Sequence, residues 1–429
     1  MKKAMPGTFS GRLDKLRKQV VDYWEKINNK YLVYVFIHAL WLVFLTIILQ
    51  FTEFVRFDEI GFLKLATIVK YDVLKIDPKP ELENTIFIDV SKDLQLVDDR
   101  DPAFGNLPAY GGAKTVITDR DKLAQLFLIL NKHSDSYRYI LCDILFDNHS
   151  ENDSALGDII EKTPRLITTA ILDNGQLVAP VFKTEYGIVN YLQNASAFTK
   201  LPIVYSNGQK SLPAKLYENI SGKKFVSHFP FTFSHHRLIF NKVFTEFYIR
   251  QADLTRQQKK DRKANLHYLG DLLYNDEQTL FDKYLRDKFI IIGDFSKDLH
   301  NTYHGQQPGP LILWDTFLTL KRSPPSPNFM WFVLMYIIYF FISAGIINKL
   351  ENKTAAIHKK IKMNSLRNFV KKYFSYLGVF ILISIFTYIT ASIIISIFYL
   401  VSYLTFVELI IQKREDWKNK KIKEIIEEL

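Results

Sequence analysis

One cysteine, Cys142, stands in a chain of 429 residues, so no disulfide forms within it. That excludes a disulfide-stapled secreted domain; an exported domain of this size without a bridge fits a bacterial envelope protein. Cys142 lies in the apolar run RYILCDILF (138–146) and reads as a small buried hydrophobe. A glycine-rich phosphate loop and a nucleophile–base motif are also missing, so no catalytic residue and no cofactor is assigned and no enzyme activity is expected. His300 and His304 have the spacing of a zinc-binding helix pair, but Gly305, Pro308 and Gly309 follow and make the stretch a loop. No metal ligand is assigned.

What the chain has in excess is long apolar runs. YLVYVFIHALWLVFLTIILQF (31–51) is interrupted only by His38 and Gln50, and NFMWFVLMYIIYFFISAGII (328–347) is its counterpart. SYLGVFILISIFTYITASIIISIFYLVSYLTFVELIIQ (375–412) is about twice as long. A run of about 20 apolar residues spans a bilayer core. The net charge of +11 collects beside these runs, in residues 1–30, 349–374 and the tail from 413, which leaves 52–327 close to neutral. Basic flanks on apolar spans orient a chain in a membrane; they are not a nucleic-acid groove, and no nucleic-acid partner is expected.

The expected organisation follows. Residues 1–30 form a basic cytoplasmic segment, 31–51 a first span, 52–327 an extracytoplasmic domain and 328–348 a second span. Residues 349–374 form a cytoplasmic loop, 375–412 a hairpin of two further spans turning near Thr390-Ala391-Ser392, and 413–429 a cytoplasmic tail. Both termini then lie inside, and the site is the bacterial inner membrane. RLDKLRKQVVDYWEKI (12–27) places Leu13, Leu16, Val20, Trp24 and Ile27 on one helical face, suited to the inner leaflet or a partner. Ser392 and Ser396 form a small-xxx-small pattern. Glu408 lies within the fourth span, about a turn from Lys413 and Arg414, which makes it a candidate intramembrane contact.

In the outer segment, TIFIDV (85–90), RYILCDILF (138–146) and KFIIIG (288–293) read as buried strands. TDRDKLAQLFLIL (118–130) reads as a helix capped by Thr118, with Leu123, Leu126, Phe127 and Leu130 on one face. Strand, helix, strand at this spacing predicts an α/β domain with a mixed or mostly parallel sheet covered by helices, beside a transmembrane region of four helices. In such sheets ligands collect beyond the carboxyl ends of the strands. Asp89, Asp143 and Asp294 stand at those ends, Asp298 and His300 follow in the next loop, and Arg120 is the candidate counter-charge. These six are the candidate ligand-binding residues; separate turn-capping by each acid is the alternative. FSHHRLIF holds His235 and His236, which point in different directions if extended.

The order IFIDVSKD, ITDRDKLAQLFLILN, RYILCDILF, GIVNY, SLPAKLYE and DKFIIIGDFSKDLHNTYHGQQPGPLILWDTFLTL resembles the CHASE domain of the second type. That family comprises extracellular sensory domains of bacterial receptors with kinase or cyclase outputs. The resemblance covers most of 80–320 and is most specific over the last stretch. Trp314-Asp315-Thr316 stands where members often have an Asn-Ala pair. After the last span only KREDWKNKKIKEIIEEL follows, so the expectation is that no catalytic output lies in cis. The resemblance implies a receptor-like sensory protein that signals through a separate protein. The alternative is an accessory subunit of a larger envelope complex that docks a membrane or periplasmic partner or a second copy of itself.

Overall fold

The computed structural model describes residues 29–428 apart from 52–56, 77–81, 99, 102–106, 109–113, 148–149, 151–152, 195–196, 229–230, 252–253, 255–264, 323 and 355–364. The amphipathic pattern at 12–27 and the charged stretch 256–265, except Asn265, lie outside the described residues. The chain divides into two compact units, Glu53–Ser326 with Tyr388–Ile393, and Met1–Thr52 with Pro327–Thr387 and Ile394–Leu429.

The larger unit is built on a seven-stranded sheet. Its strands are β1 (Thr85–Asp89), β2 (Tyr139–Asp143), β3 (Leu166–Asp173), β4 (Tyr186–Ile188), then β6 (Asn265–Tyr268) and β7 (Phe289–Gly293), with a short antiparallel strand Gln176–Val178 on β3. The order β6-β1-β7-β2-β3 is parallel throughout, and β4 adds to β3 in parallel. Every residue of β1 and β7 is buried. That is why these strands are continuous apolar runs without alternation: helices cover a parallel sheet on both faces.

The two faces follow from register. Ile86, Ile88, Ile140, Cys142, Ile290 and Ile292 point to one side, where Leu123, Leu126, Phe127 and Leu130 of α2 (Arg120–Lys132) pack on them. The helix is capped by Asp119, whose side chain accepts from the Asp121 and Lys122 amides; Thr118, the expected cap, ends a strand instead. On the other side lies α3 (Gly309–Arg322), buried from Gly309 through Leu320, with Trp314 against Phe289 at 5.1 Å between ring centroids. Burying one such large apolar side chain stabilises by roughly 1.5–3 kcal/mol.

A second sheet stands beside α3. Its β5 (Ala197–Pro202) pairs in parallel with β8 (Leu299–Thr302) at Phe198 and Thr302, and β8 turns back into β9 (Gly305–Pro308). The departure at Trp314-Asp315-Thr316 has a structural role: Thr316 shares a 2.6 Å hydroxyl bond with Thr245, and Asp315 accepts from the Ile249 amide at 3.3 Å. Next to them Glu246, buried, accepts Lys70 Nζ at 2.7 and 2.8 Å and the hydroxyls of Tyr71 and Tyr248 at 2.9 Å each. His235 and His236 take φ of 47° and 65°, forming the turn between Phe231–Ser234 and Arg237–Ile239 rather than extended chain.

The smaller unit is helical: α1 (Asn29–Phe51), α4 (Phe329–Thr354), α5 (Ser365–Ala391) and α6 (Ile397–Glu428). Among the described residues two helices are long and apolar enough to cross a membrane, over Leu32–Phe51 and Phe329–Ile347. They are tied by polar pairs, His38 Nδ1 to Ser343 Oγ at 2.8 Å and Thr46 Oγ1 to Tyr339 OH at 2.7 Å. Such bonds hold helices together where an apolar solvent offers no hydrophobic drive. The apolar parts of the other two, Tyr376–Ala391 and Ile397–Ile411, are shorter. The chain breaks between them at 392–396, with Ser392 at φ 53°, so Ser392 and Ser396 lie in the connection and not along one helix face. Glu408 is buried and accepts from Tyr376 OH at 3.3 Å, whereas Lys413 and Arg414 are exposed.

Candidate functional site

A cavity of about 370 Å³ opens at the carboxyl end of β2 and over the second half of β3, on the face that carries α3. Register dictates what lines its floor. Cys142 is level with Thr168, so Asp143 and Thr169, one residue on, turn together to the opposite face from the isoleucine core. Ile171, two residues along β3, faces the same way. Leu145, Val189, Phe198, Ile312 and Leu313 give apolar walls, and Asn190, Tyr191, Asp298 and His300 complete the lining with Gly309.

The carboxylates meet at the start of α3. A Cβ placed on Gly309 would lie 2.1 Å from Asp298 Oδ2 and 3.3 Å from Asp143 Oδ2, so both oxygens occupy the space that glycine leaves open. Gly293, between Asp89 and Asp143 in register, makes the same room for Pro310, whose Cγ would be 2.4 Å from a Cβ there. The Gly309 amide donates to the Asp298 carbonyl at 2.9 Å, which pins the loop to the helix start. Asp298 Oδ1 lies 3.0 Å from His300 Nε2, and His300 Nδ1 is bonded to Tyr191 OH at 2.7 Å.

These contacts set the charges. Burial first, then the neighbouring Asp298 carboxylate, pushes Asp143 up to about 8, with His300 pulling the other way. The hydrogen bond His300 makes to the Asp298 carboxylate raises it above its ordinary value, against the opposing effect of burial. Asp143 is thus shifted toward its protonated form, and Asp298 and His300 are an ion pair whenever the imidazole is protonated, their side chains 45% and 30% exposed at the cavity mouth.

Of the six sequence-derived candidates, the cavity takes three: Asp143, Asp298 and His300. Asp89 is spent on the loops after β1 and β7, accepting from the Ser91 and Phe295 amides at 2.9 and 3.2 Å and from Ser296 Oγ at 2.8 Å. Asp294 caps its own turn, accepting from the Ser296 and Lys297 amides at 2.9 and 2.7 Å. Arg120 does not serve as their counter-charge. It begins α2 on the isoleucine side of the sheet, 3.5 Å from Asp153 and 4.7 Å above the Phe146 ring. His304, in the β8–β9 turn, packs edge-on to Phe247 and tilted against Tyr303 instead, where burial and the positive charges of Arg250 and Lys64 lower it to about 4. Among the described residues no three His, Cys, Asp or Glu side chains are grouped to hold a metal ion.

Sequence reading missed Thr169, Tyr191 and Phe198. Their signal was weak: Tyr191 closes the quoted GIVNY, but neither Thr169 nor Phe198 belongs to a chemical motif. Gly309, by contrast, stands in the closing stretch that carried the resemblance.

Neither the curated proteins nor the solved structures yield a significant match to the chain. A family model does: the CHASE2 domain matches residues 39–347, a span that contains every strand of the sheet, the cavity and the acid-rich loop at its rim. With its parallel sheet, the Ile-Gly strand end and the loop carrying Asp298 and His300 all inside that match, the chain belongs to the CHASE2 domain family.

Proposed function

We propose that this chain is a membrane-anchored receptor-like sensor whose extracytoplasmic domain takes a small ligand into the cavity above β2 and β3. CHASE2 domains are a sensory extracytoplasmic family, and two helices suited to crossing a membrane flank the sheet-bearing unit in sequence. The observation that carries the reading is the cavity itself: about 370 Å³, apolar-walled, with a few convergent polar groups at the strand ends of a parallel sheet. In this reading the protein sits in the bacterial inner membrane with four spans, the shorter apolar helices included, and both termini in the cytoplasm. Ligand binding shifts a two-state equilibrium, and a separate protein takes up the signal.

A second reading is favoured by specific contacts. Asp89 and Asp294 are used up in loop geometry and Arg120 is held by Asp153, as a docking module in a larger envelope complex would allow. Purification from native membranes separates the two, using wild type and an Asp298→Ala/His300→Ala variant with co-purifying proteins identified by mass spectrometry. The sensory reading expects a cytoplasmic signalling enzyme whose activity differs between the two preparations. A stoichiometric membrane or periplasmic partner held equally by both would transfer the case to the accessory subunit.

A further inference from the structure

The cavity's polar groups are unbalanced in kind. The Thr169 hydroxyl is buried, its residue 1% exposed, and it has no hydrogen-bond partner among the described residues. It shares the cavity floor with Asp143, one register level above the Cys142–Thr168 pair. Asp298 gives Oδ1 to His300 and leaves Oδ2 beside Asp143 over Gly309. Two carboxyl groups and a hydroxyl thus stand on adjacent positions, all three able to accept once Asp143 gives up its proton, while Asn190 is already closed on both backbone groups of Leu172. The other polar groups are already paired with one another, His300 being engaged at both ring nitrogens, by Asp298 and by the Tyr191 hydroxyl.

We infer that the cavity binds a primary amine: an ammonium seated among Asp143, Asp298 and Thr169, with a compact apolar body against Ile171, Phe198 and Ile312. An ammonium has three N–H donors and no acceptor, the complement of this set. Neighbouring carboxylates repel unless a cation stands between them, and a charge-assisted bond to each is stronger than one to a neutral donor. A carboxylate or phosphate ligand would instead set its negative charge against the Asp298 carboxylate. The volume admits a body of small-molecule size, and its walls are aliphatic and aromatic rather than polar. Entering ammonium replaces the proton on Asp143, which goes to solvent, so binding releases a proton.

This inference rests on the sensory reading, and its test separates the two. Calorimetric titration of the full chain in lipid nanodiscs would use phenethylamine and isoamylamine, each against its matched alcohol, 2-phenylethanol and isoamyl alcohol, and 3-phenylpropionate. The amines are expected to bind at least tenfold more tightly than the alcohols, and 3-phenylpropionate not at all. Asp298→Asn is expected to weaken the amines at least tenfold and leave the alcohols unchanged. The isosteric Thr169→Val, which removes a buried unpaired hydroxyl and so keeps the fold, should weaken them about fivefold. Amine affinity should rise from pH 6 to pH 8 as Asp143 loses its proton. Equal binding of amines and alcohols, or preference for the carboxylate, overturns the inference. If amines fail while some other compound binds wild type and not Asp298→Ala/His300→Ala, the inference falls and the sensory reading stands. If no compound of any class binds, both fall.

Discussion

Asp143 and Asp298 reach the same point from different elements, one from the end of a central strand and one from the loop after its neighbour, and both point an oxygen at Gly309. The arrangement holds because the start of α3 has no side chain there, and because burial shifts Asp143 toward its protonated form while Asp298 pairs with His300. Removing the glycine, the proton or the histidine disturbs the same site in three distinguishable ways.

The first way is pH. Between the ordinary carboxylate value and about 8, the folded protein holds a proton on Asp143 that the unfolded chain has released. Stability therefore falls as pH rises through that window. His300 adds to the same sign: its raised value stabilises the fold at low pH, and that contribution is lost as pH climbs through the folded value. Asp298 and His300 are the charged groups acting on Asp143. The melting temperature of the full chain is expected to drop between pH 5 and pH 8.5, and Asp143→Asn is expected to flatten the drop. An unchanged slope in the variant would place the titration elsewhere.

The two glycines at the helix start give a graded pair. At Gly309 an added Cβ meets Asp298 Oδ2, the end of a short side chain that swings away; at Gly293 it meets the ring of Pro310 at 2.4 Å. Overpacking costs about 1–3 kcal/mol. Gly309→Ala should lie at the low end and return His300 toward its ordinary value by breaking the Asp298 contact, visible as a lower imidazole titration midpoint by NMR. Gly293→Ala should lie at or above the high end in denaturation. Equal costs would mean that the helix start moves as a whole.

Glu246 and Lys70 form a buried pair with two tyrosine hydroxyls on the carboxylate. Glu246→Leu leaves the ammonium without its partner and should cost about 3–5 kcal/mol, whereas Lys70→Met/Glu246→Leu should cost far less, since a buried pair replaced by apolar side chains is often neutral. Thermal unfolding of the two variants beside wild type checks the ordering. A double variant as unstable as the single one would show that the tyrosines, not the lysine, set the cost.

How much of this was legible in the sequence depended on range. β1, β2 and β7 were readable because strands buried on both faces are unbroken apolar runs, and the acids at their ends marked the sheet's ligand edge. Which acids share a face was not readable. Asp143 turns to the cavity only because Cys142 faces the isoleucine core, and Arg120 went to the wrong side of the sheet because order along the chain does not reveal the face a helix covers. The Lys70–Glu246 pair joins residues 176 positions apart, beyond any local pattern. Asp119 displaced Thr118 as the cap because the strand runs one residue further than its apolar pattern. Thr169 was invisible for the opposite reason: a threonine in a strand is ordinary, and its significance is that nothing inside the described residues answers its hydroxyl.

The most direct test of the central claim, that the cavity over Asp143, Asp298 and His300 is a ligand site, is a thermal-shift screen of the full chain in lipid nanodiscs. A broad small-molecule library would be run in parallel on wild type and Asp298→Ala/His300→Ala. A ligand present at 100 times its Kd stabilises a fold by about 2.7 kcal/mol, well within reach of such a screen. The account predicts at least one compound class that raises the melting temperature of wild type and leaves the variant unmoved. A library that shifts neither protein, or shifts both alike, would contradict it.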